Sequence, residues 1–129
     1  MRYLEDVMSH PVLTFHGAVP AGDALATMDE AGVRHAVVVR GPDVIGVVSD
    51  RDLGRAGRAL RTVADVMQPN PVVATPDTTI VAGALFMRDR GIGCVPVVTS
   101  GRLVGIVTRG DLLGALAERR RSTPKRARP

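Results

Sequence analysis

Eight consecutive residues of this chain occur twice in near-copy, and that duplication limits the folds open to it more than any other feature. Gly46-Val47-Val48-Ser49-Asp50-Arg51-Asp52-Leu53 returns as Gly105-Ile106-Val107-Thr108-Arg109-Gly110-Asp111-Leu112, every position displaced by 59 residues. The same offset relates Asp6-Val7-Met8 to Asp65-Val66-Met67, Met28 to Met87, Gly32-Val33 to Gly91-Ile92, and Val37-Val38 to Pro96-Val97. Pro11-Val12 aligns with Pro71-Val72 at 60 instead, which marks Asn70 as a one-residue insertion compensated before Met87. A unit of this length is long for a solenoid, and two copies are too few for an array. Two interlocked half-domains are the better reading.

The 129 residues suit one ordinary domain, and an apolar content of 45% is enough for a core. Aromatics amount to 2%, so the core must be built from Val, Leu, Ile, Ala and Met. Only Tyr3, Phe15 and Phe86 could stack on bases, which argues against a platform for single-stranded nucleic acid. Cys94 is alone and has no partner for an internal disulfide. Neither a signal-like N-terminus nor an apolar run of roughly 20 residues is present, so the expectation is a cytoplasmic protein.

The net charge of +4 is concentrated at one end. Arg119, Arg120, Arg121, Lys125, Arg126 and Arg128 leave residues 1–118 with eleven basic and thirteen acidic side chains. A basic, disordered tail is expected over 122–129. Its alternative use is contact with nucleic acid through residues 119–129, by release of counterions.

Patterning predicts the same elements in each copy. Short strands are expected at Pro11–Phe15 and Pro71–Ala74, and helices at Ala21–Ala31 and Thr79–Arg90, stopped by Gly32 and Gly91. Dense Val runs around Gly-containing turns predict the hairpins His35–Val39 with Val44–Val48 and Cys94–Val98 with Leu103–Val107. Unbroken rather than alternating apolar runs imply that both sheet faces are covered. Closing helices are expected from Asp50 to about Leu60 and from Arg109 to about Arg121, with Arg61–Met67 as connector. The fold class is therefore α/β, with two pseudo-symmetric β-α-β-β-α repeats packed sheet to sheet. Residues 1–60 hold the first repeat, 61–121 the linker and second repeat, and 122–129 the tail.

Ser49-x-x-Asp52 and Thr108-x-x-Asp111 open the closing helices. A hydroxyl with an acid three residues later is a capping-box pattern that requires no ligand. It also permits one, because a helix N-terminus offers free N–H groups to a phosphate and a carboxylate can accept from a ribose diol.

With Asp-Val-Met ahead of the first strand, the Met-x-x-x-Gly helix ends, the Val runs and Gly-x-Val-Ser/Thr-x-x-Asp-Leu, each copy resembles the cystathionine-β-synthase (CBS) domain. Residues 3–121 resemble the tandem pair called a Bateman module. The resemblance implies clefts for adenosine-containing ligands (AMP, ADP, ATP, S-adenosylmethionine or NAD), used for regulation rather than catalysis. It implies no cofactor, with Mg only if ATP is bound, a homodimer, and an effector protein of unknown identity. Asp52 with Ser49, and Asp111 with Thr108, correspond to the family's ribose holders. Arg34 and His35 in copy one, and Gly93 and Cys94 in copy two, occupy positions that commonly face phosphates. Enclosure of the adenine by the opposite copy would place Thr78, Gly83 and Ile92 against the first motif, and Val19, Ala24 and Val33 against the second. With Arg51 beside Ser49 and Asp52, and beside Thr108 and Asp111 only Arg109, with Arg34 reaching across as an alternative, the Ser49/Asp52 cleft is expected to be the stronger nucleotide site.

His10, His16 and His35 have no paired metal-ligand spacing, and Ser49 sits in no nucleophile turn. Neither Gly-rich segment has a phosphate-loop pattern. An enzyme is not expected. The alternative function is a ligand-free scaffold for protein interaction whose duplicated motif serves only as helix caps.

Overall fold

The 59-residue offset reappears as matched elements in the computed structural model, which describes residues 2–55 and 60–122 and side chains as far as Glu118. The first repeat runs through β1 (Thr14–His16), α1 (Ala21–Ala31), β2 (His35–Arg40), β3 (Asp43–Ser49) and α2 (Asp50–Arg55). After α3 (Val63–Val66) and β4 (Gln68–Pro69), the second supplies α4 (Ile80–Arg90), β5 (Cys94–Thr99), β6 (Arg102–Thr108) and α5 (Arg109–Ser122). One sheet has the order β1-β2-β3-β4, and β5 pairs with β6 in the other. The architecture is the expected mixture of helices with two sheets.

Several boundaries move. The first strand begins at Thr14 rather than Pro11, and its counterpart shrinks to one parallel bridge between Ala74 and Val97. Pro69, Pro71 and Pro76 flank that bridge and lack the N–H a longer ladder needs. The bridge still matches Phe15 opposite Val38 at the same offset, so the register is restored by Ala74. The extra residue, Asn70, is absorbed at φ 50°, in the left-handed region that Asn tolerates. Helix α2 is described to Arg55, residues 56–59 lie outside the described residues, and Leu60 is non-helical and fully exposed. The connector contains an unexpected helix, α3, opened by Thr62, whose N–H donates to Asp65 Oδ2 at 2.9 Å. The tail beyond Ser122, and the side chains of residues 119–122, also lie outside the described residues.

The segments preceding each repeat are exchanged. Tyr3 bridges to Thr79 and Ser9 to Ile106 of the second repeat, while Thr62 bridges to Pro20 and Gln68 pairs with Val47 of the first. Leu4 is accordingly buried with Ile80, Met87, Val95 and Leu112, and Val63 with Phe15, Met28, Val48 and Leu53. This explains the Asp-Val-Met motif. Asp6 Oδ2 accepts from the N–H groups of Arg2 and Tyr3 and fixes a single 3-10 turn at Leu4–Asp6. Met8 then crosses to cover Gly105, and Met67 covers Gly46, where a Cβ would collide with sulfur.

The covered sheet faces follow from the same packing. Ala36, Val38 and Val48 point into the first core, Val95, Val97 and Val107 into the second. The intervening residues Val37, Cys94 and Ile106 form a third cluster with Val12, Val39, Val44, Val47 and Leu103, where the two sheets meet. Helices α1 and α4 end at Gly32 and Gly91 with φ 68° and 63°, and each cap N–H returns to the carbonyl of Met28 or Met87. Among the described residues no helix is long and apolar enough to cross a membrane.

Candidate functional site

Both duplicated motifs sit where a strand becomes a helix, and both form complete capping boxes. Ser49 Oγ accepts from the Asp52 N–H at 3.0 Å while Asp52 Oδ2 accepts from the Ser49 N–H at 3.3 Å. Thr108 Oγ1 accepts from the Asp111 N–H at 3.1 Å, and Asp111 Oδ2 from the Thr108 N–H at 2.8 Å. Among the described residues Oδ1 of neither Asp receives a hydrogen bond, so each carboxylate keeps an acceptor oxygen beyond its cap.

Two clefts between the repeats border the motifs, and Ser49 lines both. A cleft of about 670 Å³ brings Thr108, Arg109 and Asp111 together with Val33, Arg34, His35, Ser49 and Arg51 of the first repeat, and with Gly93. A second, of about 480 Å³, holds Ser49 and Asp52 with Ile92, Gly93 and Cys94 of the second repeat, and again His35. Both volumes fall in the ordinary range for small-ligand sites. The swapped segments supply walls that the sequence reading missed: Ser9 to the first cleft, Gln68 to Val72 to the second. The signal was present, because Ser9 and Gln68 are 59 residues apart and each precedes a proline-containing stretch.

Four expected wall residues lie elsewhere. Ala24 is fully buried in the first core, against which Val19 packs. Gly83 faces Leu4, whose Cδ2 would lie 2.9 Å from a Cβ there. Thr78 accepts from the Thr75 N–H in a turn and gives its carbonyl to Leu4. The α1 and α4 faces that were expected to enclose a base are used for core packing instead.

The arginines are distributed differently from the expectation. Arg34 and Arg51 line the Asp111 cleft, not the Asp52 cleft, and join Arg109 there. Asp50 N–H donates to the Arg34 carbonyl at 2.9 Å and ties the α1–β2 junction to the start of α2, as Arg109 N–H does to the Gly93 carbonyl in the second repeat. Helix α5 has fourteen residues and presents its partial positive end to this cleft. Three arginines and that helix end outweigh the Asp50 and Asp111 carboxylates in the lining and make the larger cleft net positive, with Asp111 as an acceptor for hydroxyls.

His35 stands at the boundary of the two clefts. Burial holds its imidazole below the usual value, an effect opposed by the charges of Asp50, Asp52 and Asp111. Cys94, at the matching position of the second repeat, has its thiol pushed up to about 12 by burial and then by the charge of Asp52, so it remains a neutral thiol. Among the described residues no cluster of three His, Cys, Asp or Glu side chains could hold a metal ion.

The model of the CBS domain matches residues 4–58 and 63–118. A CBS domain-containing protein of Dictyostelium discoideum is 29% identical over 130 residues, covering 88% of this chain and 90% of that protein. Further curated relatives are larger, and this chain spans only 12% to 36% of their length. Among solved structures, the CBS domain pair of protein MJ0100 in complex with 5′-methylthioadenosine and S-adenosyl-L-methionine superposes with a TM-score of 0.84 at 25% identity, covering 91% of this chain and 97% of that one. CBSX2 in complex with AMP gives 0.78 at 25% identity, covering 93% and 99%.

Proposed function

The chain belongs to the CBS-domain family, and from that membership we propose that it is a regulatory module binding adenosine-containing ligands in its two clefts and signalling to a separate effector protein. The observation that carries this reading is the larger cleft, where Arg34, Arg51 and Arg109 converge with Thr108 and Asp111. A phosphate would sit among the guanidiniums and the α5 N-terminus, and the ribose diol would donate to Asp111. The Asp52 cleft offers a carboxylate with His35 but no arginine, which suits a riboside of lower negative charge. That AMP, and 5′-methylthioadenosine with S-adenosyl-L-methionine, occupy similar pairs supports the ligand class. The module needs no metal of its own; Mg would enter only as the companion of ATP.

Ligand binding to the folded state alone raises stability by mass action, by about 2.7 kcal/mol at a hundredfold excess over Kd. A thermal-shift panel of AMP, ADP, ATP, S-adenosylmethionine and NAD is therefore expected to raise the melting temperature by several degrees with at least one member. The completed capping boxes favour a second reading, a ligand-free scaffold in which the motif is purely structural. Silence across the whole panel would select that reading.

The proposed homodimer has a matching surface. A groove of about 390 Å³ between α4 and α5 is lined by Ala84, Met87, Leu112, Leu113 and Leu116 with Arg88 and Arg109. Val81, Leu85 and Leu113 are exposed beside it. Packing this groove against a second copy would cover its exposed leucines. Sedimentation equilibrium is expected to report a dimer that Leu113→Glu dissociates; a monomer at all accessible concentrations would remove this part of the proposal.

A further inference from the structure

His35, Ser49 and Gly93 line both clefts, so these three residues form the partition between them. His35 Nε2 lies 3.3 Å from where a Cβ of Gly93 would stand, a spacing tight for any larger residue. Its Nδ1 is buried and has no hydrogen-bond partner among the described residues. An orphaned buried ring nitrogen is a costly feature in a finished core.

We propose that His35 is a binding residue shared by the two clefts, which takes up a proton when a phosphate-bearing ligand occupies either of them and so makes the module favour anionic ligands as the pH falls. The inference rests on reading the clefts as ligand sites. The charged groups around the ring are Asp50 and Asp52 from α2, Asp111 and Arg109 from α5, Arg34 from its own strand junction, and Arg51 across the larger cleft. Behind it on β5, Cys94 stays neutral. In the empty protein, burial outweighs the three carboxylates and keeps the ring uncharged near neutrality. A phosphate in either cleft adds negative charge on the side the carboxylates already favour, which stabilises the imidazolium.

The sign follows from linkage. A ligand that raises the pKa of His35 binds with proton uptake, so the gain in affinity is fully present below the free-protein pKa and is lost as pH rises through the bound-state value. Because one imidazole serves both clefts, the first anion also prepares the partition for the second. The matching position of the other repeat is Cys94, so no second titrating group can stand in.

The test is proton NMR of the imidazole Cε1–H of the full chain, with titrations of the free protein and of complexes with AMP, adenosine and inorganic pyrophosphate. There are three histidines, and His35→Gln identifies the resonance. The expected result is an upward move of the His35 midpoint with AMP and with pyrophosphate but not with adenosine. Calorimetry should then give roughly tenfold tighter AMP binding at about pH 6 than at about pH 8, a difference that shrinks in His35→Gln beyond what AMP's own phosphate contributes. An unchanged midpoint under saturating pyrophosphate and AMP overturns the proposal, as does an undiminished pH dependence in His35→Gln. If pyrophosphate moves the midpoint while no adenosine compound binds, the shared anion residue stands and the nucleotide reading falls.

Discussion

Asp111→Ala is expected to weaken AMP binding by roughly ten- to a hundredfold, the loss of about 1.5–3 kcal/mol that accompanies removal of a charged hydrogen-bond acceptor. The same change removes half of a capping box and costs about 0.5–2 kcal/mol of stability, so a lower melting temperature alone would be uninformative. Asp111→Asn separates the two effects. Its amide oxygen can still accept from the Thr108 N–H and restores the cap, but it lacks the charge that holds a diol. Isothermal titration of both variants and of Asp52→Ala with AMP checks the assignment: Asp52→Ala should leave the tighter site in place. Unchanged affinity in Asp111→Ala, or complete loss in Asp52→Ala alone, would reverse the roles given to the clefts.

Leu4→Ala is expected to destabilise the fold by about 2–5 kcal/mol, although it lies four residues from the start of the chain. Its side chain is 1% exposed, in the core of the repeat that begins some sixty residues later, and rests on Gly83. Truncation leaves a cavity that neither Ile80 nor Met87 can close without moving its helix. Urea denaturation compared with Leu60→Ala, whose side chain is fully exposed and outside the α4–α5 groove, provides the measurement and its control. Equal midpoints would mean that the terminal segment does not dock as described.

The repeat and its strand-to-helix motifs were legible because backbone chemistry writes them locally. A hydroxyl, two intervening residues and an acid specify a cap; glycine at 32 and 91 specifies a helix end; dense Val specifies a two-sided sheet. The clefts were only half legible. Which residues oppose Thr108 and Asp111 is decided by how two sheets cross, and no local pattern encodes that crossing, so Arg51 was placed with Asp52 alone and Arg34 only as an alternative beside Asp111. Gly83 and Ala24 lie elsewhere for a related reason: a helix has a single buried face, and here it is spent on the core; Val19 and Thr78, in the turns before those helices, are held by the core and by the docked Leu4 segment. The exchange of terminal segments was written in the offset itself, since Leu4 and Val63 occupy equivalent places, but reading it required knowing the partner of each.

That exchange has a consequence for what can be cut from the chain. A fragment ending after α2 would retain Leu4 and Met8 with nothing to cover, while its own core would lack Val63 and Met67. Two such fragments could complete themselves only by trading arms, each closing the other. In the full chain the trade is made within one molecule, at the high effective concentration a short tether provides. Joining two units thus converts a concentration-dependent pairing into a permanent one, and frees each half to diverge in the residues facing its cleft.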